Sequence, residues 1–218
     1  MDFRWDLVFR SFPVLLEGAW VTIKLTTIAV AIGLVIGTFV GMARTSKNKL
    51  LYGIASVYVD FIRGTPLLVQ IFLVYMGLPQ VLGFPIPVWI AAISALGINS
   101  GAYVAEIVRA GIQSIDRGQV EAARSLGMTH RQTMRYIILP QAFKRIIPPL
   151  GNEFIAMLKD SSLVAVISLE ELMRKGQIIQ TRTFRPFEIY LAVAFIYLIM
   201  TLSISRLVAW TERRLKTE

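Results

Sequence analysis

The chain has 218 residues, 55% hydrophobic and 17% charged, with a mean hydropathy of +0.61, which is more apolar surface than a soluble core of this length can hide. Lipid is therefore the implied solvent, and an ordinary soluble enzyme is excluded. The formal charge of +9 comes without basic residues interleaved among exposed aromatics on a soluble segment, so anionic headgroups rather than nucleic acid are the expected counter-charge.

In chain order, Met1 to Arg10 alternates acidic and basic residues before any apolar run, so no cleavable signal is expected. Apolar segments follow at about 18–43, 50–78, 86–112, 146–168 and 187–210, each long enough for the roughly 20 residues that cross a bilayer as helix. The fold class predicted is all-α: a polytopic membrane bundle of about five transmembrane helices. Basic residues choose its orientation. Twelve Lys and Arg fall after the first span, between Arg117 and Arg145, and at the C-terminal end, against six on the other side. That bias puts the N terminus outside and the C terminus inside. Arg174, Lys175, Arg182 and Arg185 weaken it, and a short amphipathic helix on the outer interface accounts for them.

Within the spans, Gly33, Gly37 and Gly41 recur every fourth residue and offer one small face for close helix packing. Asp60 and Arg63 are spaced to neutralise each other, while Gly64 and Pro66 loosen the second span into a local break. Such a break is tolerated only where protein or water covers the freed backbone, and Gln70 one turn on can offer its amide to a polar ligand or to a neighbouring helix. Asn99, Tyr103 and Glu106 make a polar stripe in the third span with Ser100 beside it. Glu153 and Asp160, seven residues apart with Met157 between them, share a face of the fourth, and Asn152 flanks the first. A carboxylate at bilayer depth costs about 2.5 to 3.5 kcal/mol, so each should line an aqueous cavity or meet a cation. Lys24, Arg63, Arg109 and Lys159 are numerous enough to pair with Asp60, Glu106, Glu153 and Asp160, and internal pairing stays open beside solute binding. Pro148-Pro149 reads as a helix start.

Between the third and fourth spans lies EAARSLGMTHRQTMRYIILP, residues 121–140. Asp116 with Gln119, and Thr129 with Gln132, each have the spacing of a capping box. Gly127 sits where the first helix must end in a left-handed turn, and Pro140 reads as the stop of the second. The unit is a protruding helix, turn and helix. No Walker-type phosphate loop and no His/Cys ligand cluster is present, so no metal site and no self-sufficient catalyst are expected, and His130 reads as a surface helix residue.

The spacing Glu121-Ala122-Ala123, Gly127, Ile137 and Leu139-Pro140 resembles the EAA loop of the membrane subunits of bacterial ATP-binding-cassette importers. Arg63-Gly64-Thr65-Pro66 with Leu67, Leu68 and Gln70, and Gly151-Asn152-Glu153 with Lys159 to Leu163, are similar to the polar amino acid permeases of that superfamily, the histidine, glutamine and arginine permeases among them. The resemblance implies one permease domain over 1–218 in the bacterial cytoplasmic (inner) membrane, with 116–140 as cytoplasmic coupling helices. It implies a second permease subunit (homodimer or paralogue), two cytoplasmic ATPases that bind ATP and Mg, and an extracytoplasmic amino acid binding protein. This chain would then be no enzyme, holding no cofactor and contributing passage by alternating access. Gln70, Asn99, Ser100, Glu153 and Asp160 are the candidate solute contacts; Glu121, Ala122, Ala123 and Gly127 are the candidate coupling surface. Two carboxylates nearly 10 Å apart, at about 1.5 Å rise per residue, favour a cationic solute (arginine, lysine or histidine) over the glutamine or glutamate alternative. A secondary carrier or channel would ordinarily leave an internal repeat, which the sequence lacks, and a non-transporting scaffold would not need the carboxylate face.

Overall fold

The computed structural model describes residues 3–216, and every regular element among them is helical. Met1, Asp2, Thr217 and Glu218, which end the expected 1–218 domain and begin the charged Met1 to Arg10 segment, lie outside the described residues. The elements are α1 (Trp5–Ala43), α2 (Lys49–Arg63), α3 (Leu67–Phe72), α4 (Leu78–Leu82), α5 (Val88–Gln113), α6 (Arg117–Ser125), α7 (His130–Thr133), α8 (Leu139–Asp160), α9 (Leu172–Thr183) and α10 (Pro186–Lys216). Single π-helical stretches, Leu73–Gly77 and Met134–Ile138, join α3 to α4 and α7 to α8, and a 3-10 stretch, Ser161–Ile167, continues α8.

The span count differs from the sequence expectation. Helices α1, α5 and α10 are each long and apolar enough to cross a membrane, and α2 with the Leu67–Leu82 run adds a fourth candidate only as a pair bent by 103°. The expected fifth, 146–168, is not an apolar helix of its own. Helix α8 begins at Leu139, carries Lys144, Arg145, Glu153, Lys159 and Asp160, and tightens to 3-10 geometry at Ser161, so it falls outside the three to four helices that are long and apolar enough by length and composition alone. The first helix also outruns 18–43, beginning at Trp5 with Pro13 inside it.

Close approach of α1 to α5 sets the frame. A Cβ on Gly33 would lie 2.7 Å from the Cβ of Ser100, one on Gly37 would lie 2.5 Å from that of Val104, and one on Gly41 2.8 Å from that of Val108. The period-four glycine face of α1 thus meets a period-four face of α5, and backbones come together where side chains would hold them apart. Around this seam pack Leu25, Ala29, Val30, Ala91, Ala95 and Leu96, all buried.

Prolines at 140 and 148–149 do not act as the sequence suggests. Leu139 donates its N–H to the Met134 carbonyl, one residue further back than in an α-helix, and the widened turn leaves room for the Pro140 ring where it would strike the preceding turn. The chain therefore runs helically from His130 to Asp160 instead of stopping. Leu78 donates to Leu73 in the same way just before Pro79. Pro148 and Pro149 lie inside α8, where Ala142 and Ile146, packed with Val104 and Val108, hold the helix together across them.

Helix α9 is the short helix expected in 170–186, and it is more than an interfacial float. Leu172 and Gly176 are buried, and a Cβ on Gly18 of α1 would come within 2.8 Å of the Leu172 Cα. Its N-cap is Glu171, fully buried, whose carboxylate accepts from the Met173 N–H at 2.9 Å, the Arg174 N–H at 2.8 Å and the Tyr197 hydroxyl at 2.9 Å, with Thr22 at 3.4 Å. One carboxylate so ties α9 to α1 and α10.

The glycine seam predicts a contrast. Gly37→Val forces Val104 away and should cost about 1 to 3 kcal/mol as overpacking, lowering the melting temperature of the detergent-purified protein. Gly53→Ala on α2, with no heavy atom within 4 Å of the new methyl, should leave it unchanged or raised. Equal melting of the two variants would contradict the seam.

Candidate functional site

The break between α2 and α3 brings the polar groups together. Helix α2 ends where Gly64 donates its N–H to Asp60 at 2.9 Å, and Pro66, extended at φ −63° and ψ 135°, starts α3 in a new direction. Carbonyls near the break lose their helical donors. Gln70, buried, turns its amide back to them, donating to the Ile62 carbonyl at 2.8 Å and to Thr65 at 2.9 Å on Oγ1 and 3.1 Å on the carbonyl. Its own oxygen accepts from Asn99 Nδ2 at 3.0 Å. The neighbouring Ser100, wholly buried on α5, donates from Oγ to Glu153 Oε1 of α8 at 3.0 Å.

Four of the five expected solute contacts, Gln70, Asn99, Ser100 and Glu153, therefore lie on adjoining faces of α3, α5 and α8. Gln70 and Asn99 are engaged with each other and with the break. Glu153 is 9% exposed, and among the described residues none of the ion pairs includes it or Asp160. Asp160, at the last turn of α8, is exposed, as is Lys159, which lines a cavity of about 370 Å³ with Ser162, Tyr190 and Tyr197. The two carboxylates share a helix face but differ in setting, one held inside the bundle and the other at its edge.

The remaining charges sort differently from the sequence pairing. Asp60 does not meet Arg63; it faces Arg44 at 3.8 Å, and Arg63 reaches Glu106 at 3.9 Å. Glu106 also accepts from Arg44 Nη1 at 2.7 Å and from Arg109, through Nε at 3.0 Å and through Nη2. Internal pairing thus wins at Glu106, by three arginines of three helical segments. Lys24 instead sits over the Trp89 ring, 5.6 Å from its centroid. The sequence reading missed Arg44, which follows the first span and reads as a headgroup anchor, and it missed Glu171, whose signal was a Glu directly before the apolar Leu172 at a helix start.

At the far end of α5, residues 116–140 form the expected helix, left-handed turn and helix, without the expected stop at Pro140. Thr129 and Gln132 form the reciprocal box, with Gln132 N–H on Thr129 Oγ1 at 3.3 Å and Thr129 N–H on Gln132 Oε1 at 2.8 Å. Asp116 caps α6 through the Gly118 N–H at 2.7 Å, but Gln119 does not close a box, since its side chain points to Gln141 at 3.4 Å. Gly127 adopts φ +79°, and Met128 N–H returns to the Ala123 carbonyl at 3.1 Å. Ala123 is buried against the following turn, whereas Glu121, Ala122 and Gly127 are exposed beside Leu126, an apolar side chain 83% exposed.

The chain is similar to known transport permeases. Residues 33–217 match the family model described as the binding-protein-dependent transport system inner membrane component. The glutamine transport system permease protein GlnP of Escherichia coli (strain K12) is 43% identical over 217 residues, covering 99% of each chain. The arginine transport system permease protein ArtQ of Bacillus subtilis (strain 168) is 39% identical, covering 100% of this chain and 99% of that one. A solved structure described as an amino acid ABC transporter with histidines is 51% identical with a TM-score of 0.94, covering 98% of this chain and 100% of that one.

Glu106 gives this region its prediction. Glu106→Gln leaves three guanidinium groups crowded around a neutral amide, and loss of one partner from a largely buried cluster should cost about 3 kcal/mol, read as a clear fall in melting temperature. Arg63→Gln, whose side chain is 40% exposed and 3.9 Å away, should cost under about 1 kcal/mol. Comparable losses from both substitutions would show that Glu106 is not the hub.

Proposed function

Since this chain belongs to the binding-protein-dependent transport system inner membrane components and is a permease subunit of an amino acid ABC importer, we propose that it forms half of an alternating-access pathway for cationic amino acids. A second permease subunit, the same chain or a paralogue, completes the pathway, and ATP and Mg belong to two partner ATPases. A binding protein delivers solute on the side away from α6. The Lys and Arg bias supports an outside N terminus and an inside C terminus. Closure of the ATPases draws the coupling helices together and turns the bundle outward, and hydrolysis resets it.

The observation that carries the solute class is Glu153. A buried carboxylate with one hydroxyl as hydrogen-bond partner and no cation within 4 Å is an incompletely compensated charge, and a guanidinium or ammonium of the solute compensates it. Asp160, nearer the edge, takes the second positive end. Gln70 and Asn99 hold the broken helix in place and shape the wall; Ser100 orients Glu153. The 43% identity to a glutamine permease supports the alternative, a neutral amino acid recognised through its common ammonium group.

Reconstituted complex with its ATPase and binding protein separates the readings. Arginine should stimulate ATP hydrolysis, and Glu153→Gln should weaken apparent arginine affinity about ten-fold or more while basal hydrolysis persists. Unchanged arginine response in Glu153→Gln, or stimulation by glutamine alone, would replace the cationic reading with the neutral one. In the same assay Gly127→Val tests coupling. No atom lies within 4 Å of a Cβ there, so the substitution acts through φ +79°, which costs a β-branched residue about 1 to 2 kcal/mol, and it should abolish solute stimulation in an assembled complex. Full stimulation would remove α6 and its turn from the coupling path.

A further inference from the structure

The largest polar recess described lies neither at Glu153 nor on the face of α6 offered to a partner. It is a cavity of about 620 Å³ between the α1–α2 turn, the end of α5 and the root of the coupling unit. Its rim carries Arg44, Ser46, Tyr52 and Arg117, while Ile112, Met134 and Ile138 supply apolar wall. Helices α1 and α5, two of the apolar spans, end at Ala43 and Gln113, so the cavity sits level with the boundary where apolar helix gives way to polar chain. Both kinds of lining are thus at one depth: cations and hydroxyls outward, branched and thioether side chains inward.

The charge of this recess is only partly spent internally, Arg44 being ion-paired and Arg117 not. Arg44 gives Nη1 to Glu106 and faces Asp60 with Nη2, but its Nε is buried without a hydrogen-bond partner. A buried guanidinium N–H left in that state is destabilising, and it keeps the full positive charge of Arg44 from being compensated within the bundle. Arg117 is exposed and joins none of the ion pairs among the described residues, and the one carboxylate next to it, Asp116, is turned to the Gly118 N–H. Lys47 and Lys49 stand on the same turn. An occupant must therefore bring negative charge, accept from a guanidinium and hydroxyls, and carry an apolar portion.

We propose that this cavity binds the phosphate ester of an anionic phospholipid, its headgroup at Arg44, Ser46 and Arg117 and its glycerol and first methylenes against Ile112 and Met134. A free phosphate would satisfy the cations and leave the apolar wall in water; a neutral lipid would leave the cations unmatched. Because the occupant touches both the end of α1 and the root of α6, its binding braces the coupling unit against the transmembrane bundle, whichever amino acid is carried.

The test is native mass spectrometry of the intact permease and ATPase complex, delipidated in detergent and titrated with phosphatidylglycerol or phosphatidylcholine. Phosphatidylglycerol should be retained in preference. Arg117→Gln should reduce its retention about five-fold, the effect of one basic residue at a membrane surface, with phosphatidylcholine unaffected. Met134→Trp should fill the apolar wall and remove retention, while Arg131→Gln, an equally exposed cation on α7, should leave it unchanged. Equal retention of the two lipids, or equal losses in Arg117→Gln and Arg131→Gln, overturns the proposal. Displacement of bound phosphatidylglycerol by inorganic phosphate reassigns the site to a soluble anion and rejects the lipid.

Discussion

A helix that breaks inside lipid leaves carbonyls facing a solvent that cannot hydrogen-bond them, and in this chain Gln70 supplies the missing donors. The consequence spreads outward from that amide. Once Gln70 is committed to Ile62 and Thr65, its oxygen fixes Asn99, and Asn99 fixes the rotation of α5 relative to the broken pair. Ser100, next in sequence, is then pointed at α8, where it meets Glu153, while on its other side its Cβ lies where a Cβ on Gly33 would have to go. The position of the buried carboxylate is thus linked, through Asn99 and Ser100, to the repair of a backbone break two helices away, and a change at Gln70 would disturb both.

The second dependence runs along the chain. Because the π turn at Met134–Ile138 absorbs Pro140, the coupling unit is not hinged loosely to the bundle but shares one helical run, His130 to Asp160, with Glu153. On the coupling role proposed above, a push at the Gly127 turn would travel along that run, about 1.5 Å of helix per residue, toward the carboxylate pair. Widened turns are also the weakest points of a helix, since their hydrogen bonds are poorly aligned, so the same stretch that carries the push is where bending would be concentrated. Rigid transmission and local compliance meet at one proline.

Sequence patterns reported the local features well. The left-handed turn at Gly127, the Thr129 box, the break at Gly64 to Pro66 and the small face of Gly33, Gly37 and Gly41 each rest on backbone sterics or short-range spacing, which a single sequence exposes directly. Pairings between distant residues were not legible. Asp60 and Arg63 have ideal spacing for each other, yet Arg44 and Glu106 take them, because three helices converge there and Coulomb energy favours Glu106, the more buried of the two carboxylates, as hub. Pro140 and Pro148-Pro149 misled for a related reason: propensity marks them as boundaries, and packing of Ala142 and Ile146 against α5, together with a widened turn, overrides it. The expected apolar run at 146–168 differs at α8, whose charges are too many for a fully lipid-facing helix and are tolerated where its buried residues meet protein.

The contrast between Glu106 and Glu153 shows how one bundle uses the same residue in two ways. Glu106 lies 2.7 to 3.9 Å from two guanidinium groups, Arg44 and Arg63, and hydrogen-bonds a third, Arg109, so its charge is spent on holding helices together and offers little to a passing solute. Glu153, on another helix, joins none of the ion pairs among the described residues and receives a single neutral hydroxyl, which leaves its charge without a direct partner. Confining the arginines to the end of the spans near the coupling unit is what makes this possible, since a guanidinium within reach of Glu153 would neutralise it permanently. Segregation of cations from one buried carboxylate, rather than the presence of acidic residues as such, is the feature on which the proposed solute role of Glu153 rests.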